Sequence, residues 1–168
     1  GYAKFNGYRM LYLNEQLKNI NLSQEGEYSY YSADSTSHSG FEYESRIFID
    51  SKTILDINGT LQMNVFNNGN FLPNTPSSIM NASLSRSFSD DLLLYANYRK
   101  IGGMYIDNTN VEDGYISSYS ILDLGASISW KKVKVDMKIN NVFNKLYSTY
   151  GYSYEYNGGK RVGFRLII

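Results

Sequence analysis

The chain has no cysteine, one histidine, two prolines and no helix-length apolar run. Without thiols there is no disulfide framework and no thiolate metal centre, and a lone imidazole leaves any zinc site to be built mostly from carboxylates. No stretch approaches the roughly 18 consecutive apolar residues of a transmembrane helix, so a membrane span would have to consist of strands. Neither sign of charge dominates. Sixteen Lys and Arg balance sixteen Asp and Glu, which gives no electrostatic reason to expect nucleic acid. With 168 residues the chain can form one domain with a core. It opens at Gly1 with neither an initiator Met nor a signal peptide, and is expected to be a mature form or a piece of something longer.

What is plentiful is tyrosine, 17 copies beside 8 Phe and 14 Gly, a bias toward strands and turns over helices. Alternation bounded by turn residues predicts about eight strands, at 3–13, 40–49, 53–66, 77–88, 92–101, 119–130, 133–143 and 160–168. The connections alternate in length. Those at 50–52, 89–91 and 131–132 are tight and charged; those at 14–39, 67–76, 102–118 and 144–159 are long and rich in Tyr, Asn, Ser and Gly. An even strand number with short turns at one end and long loops at the other is the pattern of an outer-membrane barrel.

Facing is explicit in several segments. Leu55, Ile57, Gly59, Leu61, Met63 and Val65 oppose Asp56, Asn58, Thr60, Gln62 and Asn64. Val133, Val135, Met137 and Ile139 likewise oppose Lys134, Asp136, Lys138 and Asn140, and Leu122 to Trp130 alternates in the same way. Since side chains in a strand alternate with period two, each such sheet has one oily and one wet surface. Arg86 falls on the face of Met80, Ala82 and Leu84, near a turn from which it could reach lipid headgroups. A soluble sandwich or lipocalin-like barrel would also alternate. The wet faces here, however, carry mostly Asn, Ser, Thr and isolated charges rather than dense Lys and Glu.

Candidate sites are few. His38, in a Ser-Thr-Ser-His-Ser-Gly stretch read as the end of the first long loop, is a candidate ligand for haem or a metal chelate, or simply a polar loop residue. Tyr150, Tyr152 and Tyr154 alternate along the last loop, and with Tyr105 and Tyr115 they could line an aromatic vestibule for a chelate; the alternative is an extended hairpin with interfacial tyrosines. Glu42, Glu44 and Arg46 share a strand face, which suits an internal ion-pair network better than acid-base catalysis. A hydrolase would need His38 beside Ser37 or Ser39, and residues adjacent in sequence rarely make that geometry. No catalytic residue, resident metal or cofactor is assigned.

An ordered set of phrases over 40–168 resembles the C-terminal barrel strands of TonB-dependent outer-membrane receptors. Gly40-Phe41-Glu42-Tyr43-Glu44 resembles a strand opening of that family, and Leu72-Pro73-Asn74-Thr75-Pro76 the phrase before its next descending strand. Asn97-Tyr98-Arg99 with Gly102, then Tyr119-Ser120-Ile121-Leu122-Asp123-Leu124, are similar to the following ascent and descent. Asn140-Asn141-Val142-Phe143-Asn144-Lys145-Leu146-Tyr147 resembles the penultimate-strand signature, and Gly159-Lys160-Arg161 the phrase before the last strand. Nothing matches the family's plug or TonB-box peptide, and Ile168 stands where a final aromatic is usual.

The resemblance implies an all-β fold of antiparallel transmembrane strands, belonging to a larger barrel of about 22 strands. Residues 1–168 would then be the C-terminal part of a receptor barrel without its plug. Implied with it are residence in the bacterial outer membrane and active import of an iron chelate, haem or a similar scarce nutrient. The partners would be outer-membrane lipid, the remaining barrel and plug, the TonB complex acting through that plug, and a small-molecule chelate. The competing expectation is a stand-alone eight-stranded barrel with a structural or adhesive role, which requires the first and last strands to pair. If the Leu61 face meets lipid, Leu61→Arg should impair insertion by about 2–4 kcal/mol near the midplane while Asn58→Arg is milder. Folding into bilayers, followed by denaturant titration, checks the difference.

Overall fold

The computed structural model describes residues 1–18, 30–156 and 159–167, with side chains described outside 18 and 152–167. Its strands are β1 (Tyr2–Lys18), β2 (Tyr30–Phe48), β3 (Thr53–Phe66), β4 (Ser78–Ser89), β5 (Leu92–Ile101), β6 (Met104–Tyr105), β7 (Tyr115–Ile116), β8 (Tyr119–Trp130), β9 (Val133–Ile139), β10 (Tyr147–Tyr156) and β11 (Gly159–Ile167). Seven form one antiparallel sheet in the order β1-β2-β3-β4-β5-β8-β9. The pair β6-β7 is an insertion in the β5–β8 connection, and β10-β11 is a separate hairpin.

All eight expected segments are strands, with three differences of extent or partner. The first two run 17 and 19 residues, into the stretch read as a long loop. Their upper parts are rich in Ser, Tyr and Asn on both faces, so hydrophobic alternation fades where backbone pairing continues. Such lengths exceed the roughly 9–11 residues that cross a bilayer, so these strands project beyond it. Next, β9 stops at Ile139 rather than Phe143. Asn141 takes a left-handed φ of 50°. Its amide donates to Asp123 Oδ1 at 2.8 Å, and its side chain brackets Lys145, accepting from the amide at 3.0 Å and donating to the carbonyl at 2.9 Å. Last, the stretch read as the loop 144–159 contains β10, which pairs with β11 from Tyr147↔Ile167 to Tyr156↔Gly159. The alternating tyrosines thus lie on a hairpin strand, and the last expected strand joins β10 rather than the main sheet.

Residues directly opposite each other in an antiparallel pair share a face, so the register carries the facing across the sheet. Phe41 faces Leu61, Leu55 faces Leu84, Leu84 faces Ala96, Ala96 faces Leu124 and Leu124 faces Ile139. One apolar surface therefore crosses from β2 to β9, and Leu61, Leu84, Leu124 and Ile139 on it are exposed. The opposite surface is a polar network. Arg46 grips Asp56 with two bonds of 2.6 and 3.0 Å, a forked geometry favoured by guanidinium and carboxylate. Tyr2 donates to Glu44 at 2.5 Å, Asn6 to Glu42 at 3.1 Å, and Lys138 pairs with Asp123 at 3.0 Å. The expected ion-pair network exists, but Arg46 takes its partner from β3 rather than from the glutamates of its own strand.

At the short-turn end, Arg86 turns to protein rather than to headgroups: its guanidinium donates to Asp50 at 3.2 Å and to the Thr53 hydroxyl at 2.8 Å. The Lys52 amide, donating at 2.7 Å, is the main reason the Asp50 carboxyl is held below the usual carboxylate range, with the Thr53 hydroxyl and Arg86 adding to it.

Glycine and tyrosine are coupled across strands. Tyr8 lies opposite Gly40, Tyr43 opposite Gly59 and Tyr95 opposite Gly125. In each pair the ring occupies the space a Cβ on the glycine would need. The rings cover backbone that would otherwise lack side-chain packing. At Gly125 the three atoms nearest to that position all belong to Tyr95, so Gly125→Val should destabilise the sheet by about 1–3 kcal/mol through overpacking. Adding Tyr95→Ser should recover most of the loss in a double-mutant cycle read by denaturant titration; simple additivity of the two would refute the coupling.

Candidate functional site

The long-loop end holds the most elaborate structure outside the sheet. In the β3–β4 connection, Gly69 at φ 86° and Asn74 at φ 52° permit two reversals. Leu72 is pinned by its amide to Asn64 O at 2.9 Å and is almost fully buried. In the β5–β8 connection, β6 and β7 pair through Met104↔Ile116 and Tyr105↔Tyr115. Met104, Ile106 and Ile116 form a small buried core there, and a single 3-10 turn at Glu112–Gly114 leads into β7. Asp107 is buried and accepts from the Thr109 amide at 2.9 Å, closing the tip.

These two connections are locked together. Asn110, held at φ 54°, accepts from the Phe71 amide at 2.5 Å and donates back to the Phe71 carbonyl at 3.0 Å, copying one rung of a strand ladder with a side chain. Asn70 donates to Asn108 O at 2.7 Å, the Asn74 amide to Tyr105 O at 2.7 Å and the Ser77 amide to Gly103 O at 3.2 Å. Phe71 stacks on Tyr105 at 6.0 Å between centroids, and Tyr105 meets Tyr115 at 4.9 Å with a 59° tilt. A cleft of about 570 Å³ opens beside these rings, with Thr75, Ser77 and Glu112 also on its wall.

Of the residues expected to bind a ligand, Tyr105 and Tyr115 are thus brought into contact. Tyr150 is half-buried on β10, beside Gly151, whose amide and carbonyl each meet the Asn74 side chain at 3.4 Å. That contact sets the hairpin against the β3–β4 connection. Tyr152 and Tyr154 continue β10, opposite Gly163 and Arg161, and their side chains lie outside the described residues. Tyr147, at the start of the same strand, stacks on Tyr119 at 4.6 Å between centroids.

His38 belongs elsewhere. It lies within β2, not in a loop, because the polar strand continues above the alternating segment. Its Nε2 is 3.0 Å from Glu15 Oε2 and 3.3 Å from the Thr36 hydroxyl, which also donates to Glu15, and Tyr12 meets the ring edge-on at 5.2 Å. This cluster ties the projecting parts of β1 and β2 together. Among the described residues no group of three or more His, Cys, Asp or Glu side chains is placed to hold a metal. Sequence reasoning missed Phe71, Asn110 and Glu112. Asn110 carried one signal, a run of Asp, Asn and Thr suited to left-handed turns.

Asn110→Ala should release the two connections, costing about 1–3 kcal/mol locally for the unpaired Phe71 groups. Faster amide exchange across residues 67–77, with the sheet unaffected, checks it.

Comparison with known proteins gives a consistent picture. The family model described as TonB dependent receptor-like, beta-barrel, matches residues 1–142. The chain is similar to the ferric yersiniabactin uptake receptor FyuA from Yersinia pestis, with a TM-score of 0.78 and 19% identity over 98% of this chain and 25% of that one. It is similar to the siderophore receptor PiuA from Acinetobacter baumannii, with a TM-score of 0.72 and 18% identity over 96% of this chain and 24% of that one. It also resembles the copper transporter OprC, with a TM-score of 0.69 and 13% identity over 87% and 23% of the two chains. The chain therefore spans about a quarter of the length of these solved structures. No curated protein matches it.

Proposed function

Because the chain belongs to the TonB dependent receptor-like β-barrel family, we propose that it forms the C-terminal part of the barrel wall of an outer-membrane importer. Its setting is the bacterial outer membrane, where the apolar surface from β2 to β9 faces lipid and the polar surface faces the lumen. The single observation that carries the reading is this two-sided, seven-stranded sheet with both edges open. Among the described residues β1 pairs only with β2, β9 only with β8, and β11 only with β10. A stand-alone eight-stranded barrel needs its first and last strands paired, so this pattern favours the receptor wall.

The cargo class is a scarce nutrient such as an iron chelate or haem, taken up at the long-loop end. The solved structures above name ferric yersiniabactin for one protein and copper for another, so the fold alone leaves the cargo open. The locked connections supply a pre-ordered aromatic surface at Tyr105 and Tyr115, with Tyr150 near it through the Asn74–Gly151 contact; Tyr152, Tyr154 and the His38 cluster are further points for a ligand to touch. Rigidity of this kind lowers the ordering cost of binding. The remaining barrel and plug complete the pore, and the TonB complex acts through the plug on the bound receptor. No step requires a nucleophile or an acid-base pair, so no enzymatic role is assigned.

Deleting the gene in its native host should abolish energy-dependent uptake of at least one labelled iron chelate under iron starvation, and restoring the intact receptor should recover it. Unchanged uptake across a panel of ferric siderophores and haem would argue against the reading.

A further inference from the structure

The two locked connections are acidic. Residues 67–77 and 102–118 contain Asp107, Glu112 and Asp113 and not one Lys, Arg or His. Asp107 is buried and spends its carboxylate on Thr109. Glu112 is exposed on the cleft wall and forms no ion pair among the described residues. Beside it Phe71 and Tyr115 remain 39% and 44% exposed, so each keeps open ring surface, while Tyr105 stands between them and holds their spacing. Lys145 lines a separate cleft that it shares with Tyr115.

An anionic chelate entering this cleft would meet a carboxylate and the negative faces of aromatic rings, with no guanidinium or ammonium group among the described lining residues to pair with. A cation meets the reverse. Ring quadrupoles attract positive charge, and the Glu112 carboxylate on the same wall adds to that preference. We infer that the cleft between these connections recognises an organic cation, a substituted ammonium or guanidinium group carried by the cargo. The Tyr115 and Phe71 rings flank the charge, and the Glu112 carboxylate neutralises it. This rests on the importer reading and narrows it: the cargo presents a positively charged, partly apolar group to the outer end of the barrel.

The test uses the intact receptor in detergent, titrated by ligand-observed NMR with choline and with its neutral carbon isostere 3,3-dimethylbutanol. Choline should bind about tenfold more tightly than the isostere, a preference that weakens with salt. Glu112→Gln should reduce choline binding about five- to tenfold and leave the isostere unchanged. Tyr115→Leu should remove the preference, and Tyr115→Phe should keep it. Equal binding of the two probes, binding of neither, or an unchanged choline affinity in Glu112→Gln overturns the inference. Uptake of ferric chelates by cells bearing the unsubstituted receptor separates the two readings. If uptake persists in the unsubstituted receptor while choline does not bind, the inference fails and the importer reading stands; if the receptor neither lodges in the outer membrane nor imports, both fall.

Discussion

Backbone amides and carbonyls set the terms for everything else in this molecule. In hydrocarbon each unpaired peptide group costs several kcal/mol, so a strand there must be paired along its whole length. Continuous pairing fixes register, and register fixes facing, because residues opposite one another share a side. From β1 to β9 the pairing is antiparallel between neighbours, and its one register shift within the sheet, between Ser87 and Ser89, falls at the turn end. A single phase therefore propagates across seven strands. The oily surface and the polar network of Arg46, Asp56, Glu44, Asp123 and Lys138 are two results of that one constraint.

Part of the use of Tyr and Gly follows from the same pairing. At three strand glycines the residue directly opposite is a tyrosine whose ring lies over the gap, on the polar surface for Tyr8 with Gly40 and Tyr95 with Gly125, and on the apolar one for Tyr43 with Gly59. Composition announced strands, but it could not announce these partnerships. The paired residues are far apart in sequence, and only the register brings them together.

The sequence was most readable where hydrophobicity alternates. The spans 53–66, 92–101 and 119–130 coincide with β3, β5 and β8. It was least readable above the apolar band. In the upper parts of β1 and β2, and in β10, polar and aromatic residues predominate, so periodicity in hydrophobicity fades while hydrogen bonding continues. His38 was misplaced for this reason, and its neighbour Glu15 lies 23 residues away, a distance that sequence patterns do not bridge. Tyr105 and Tyr115 could be picked out as tyrosines near loop bases. Their organiser could not, since the Asn110–Phe71 clasp spans 39 residues and depends on a left-handed asparagine.

The open edges of the sheet lead to the last step. β1 and β9 each present one row of backbone groups with no partner among the described residues. In water such an edge would be shielded by charge, proline or a bulge. In a bilayer those devices do not satisfy the exposed groups, so both edges must meet further strands. Among the described residues β11 pairs with β10 and with neither β1 nor β9, so it does not supply that closure. The apolar surface demands lipid, lipid demands a closed wall, and the seven strands of this sheet do not close one alone. The polar surface agrees, because its ion pairs are part-exposed rather than packed into the tight lumen of a small barrel. A sheet that must be continued at both edges, and whose inner face leaves room for contents, is a section of a wide barrel.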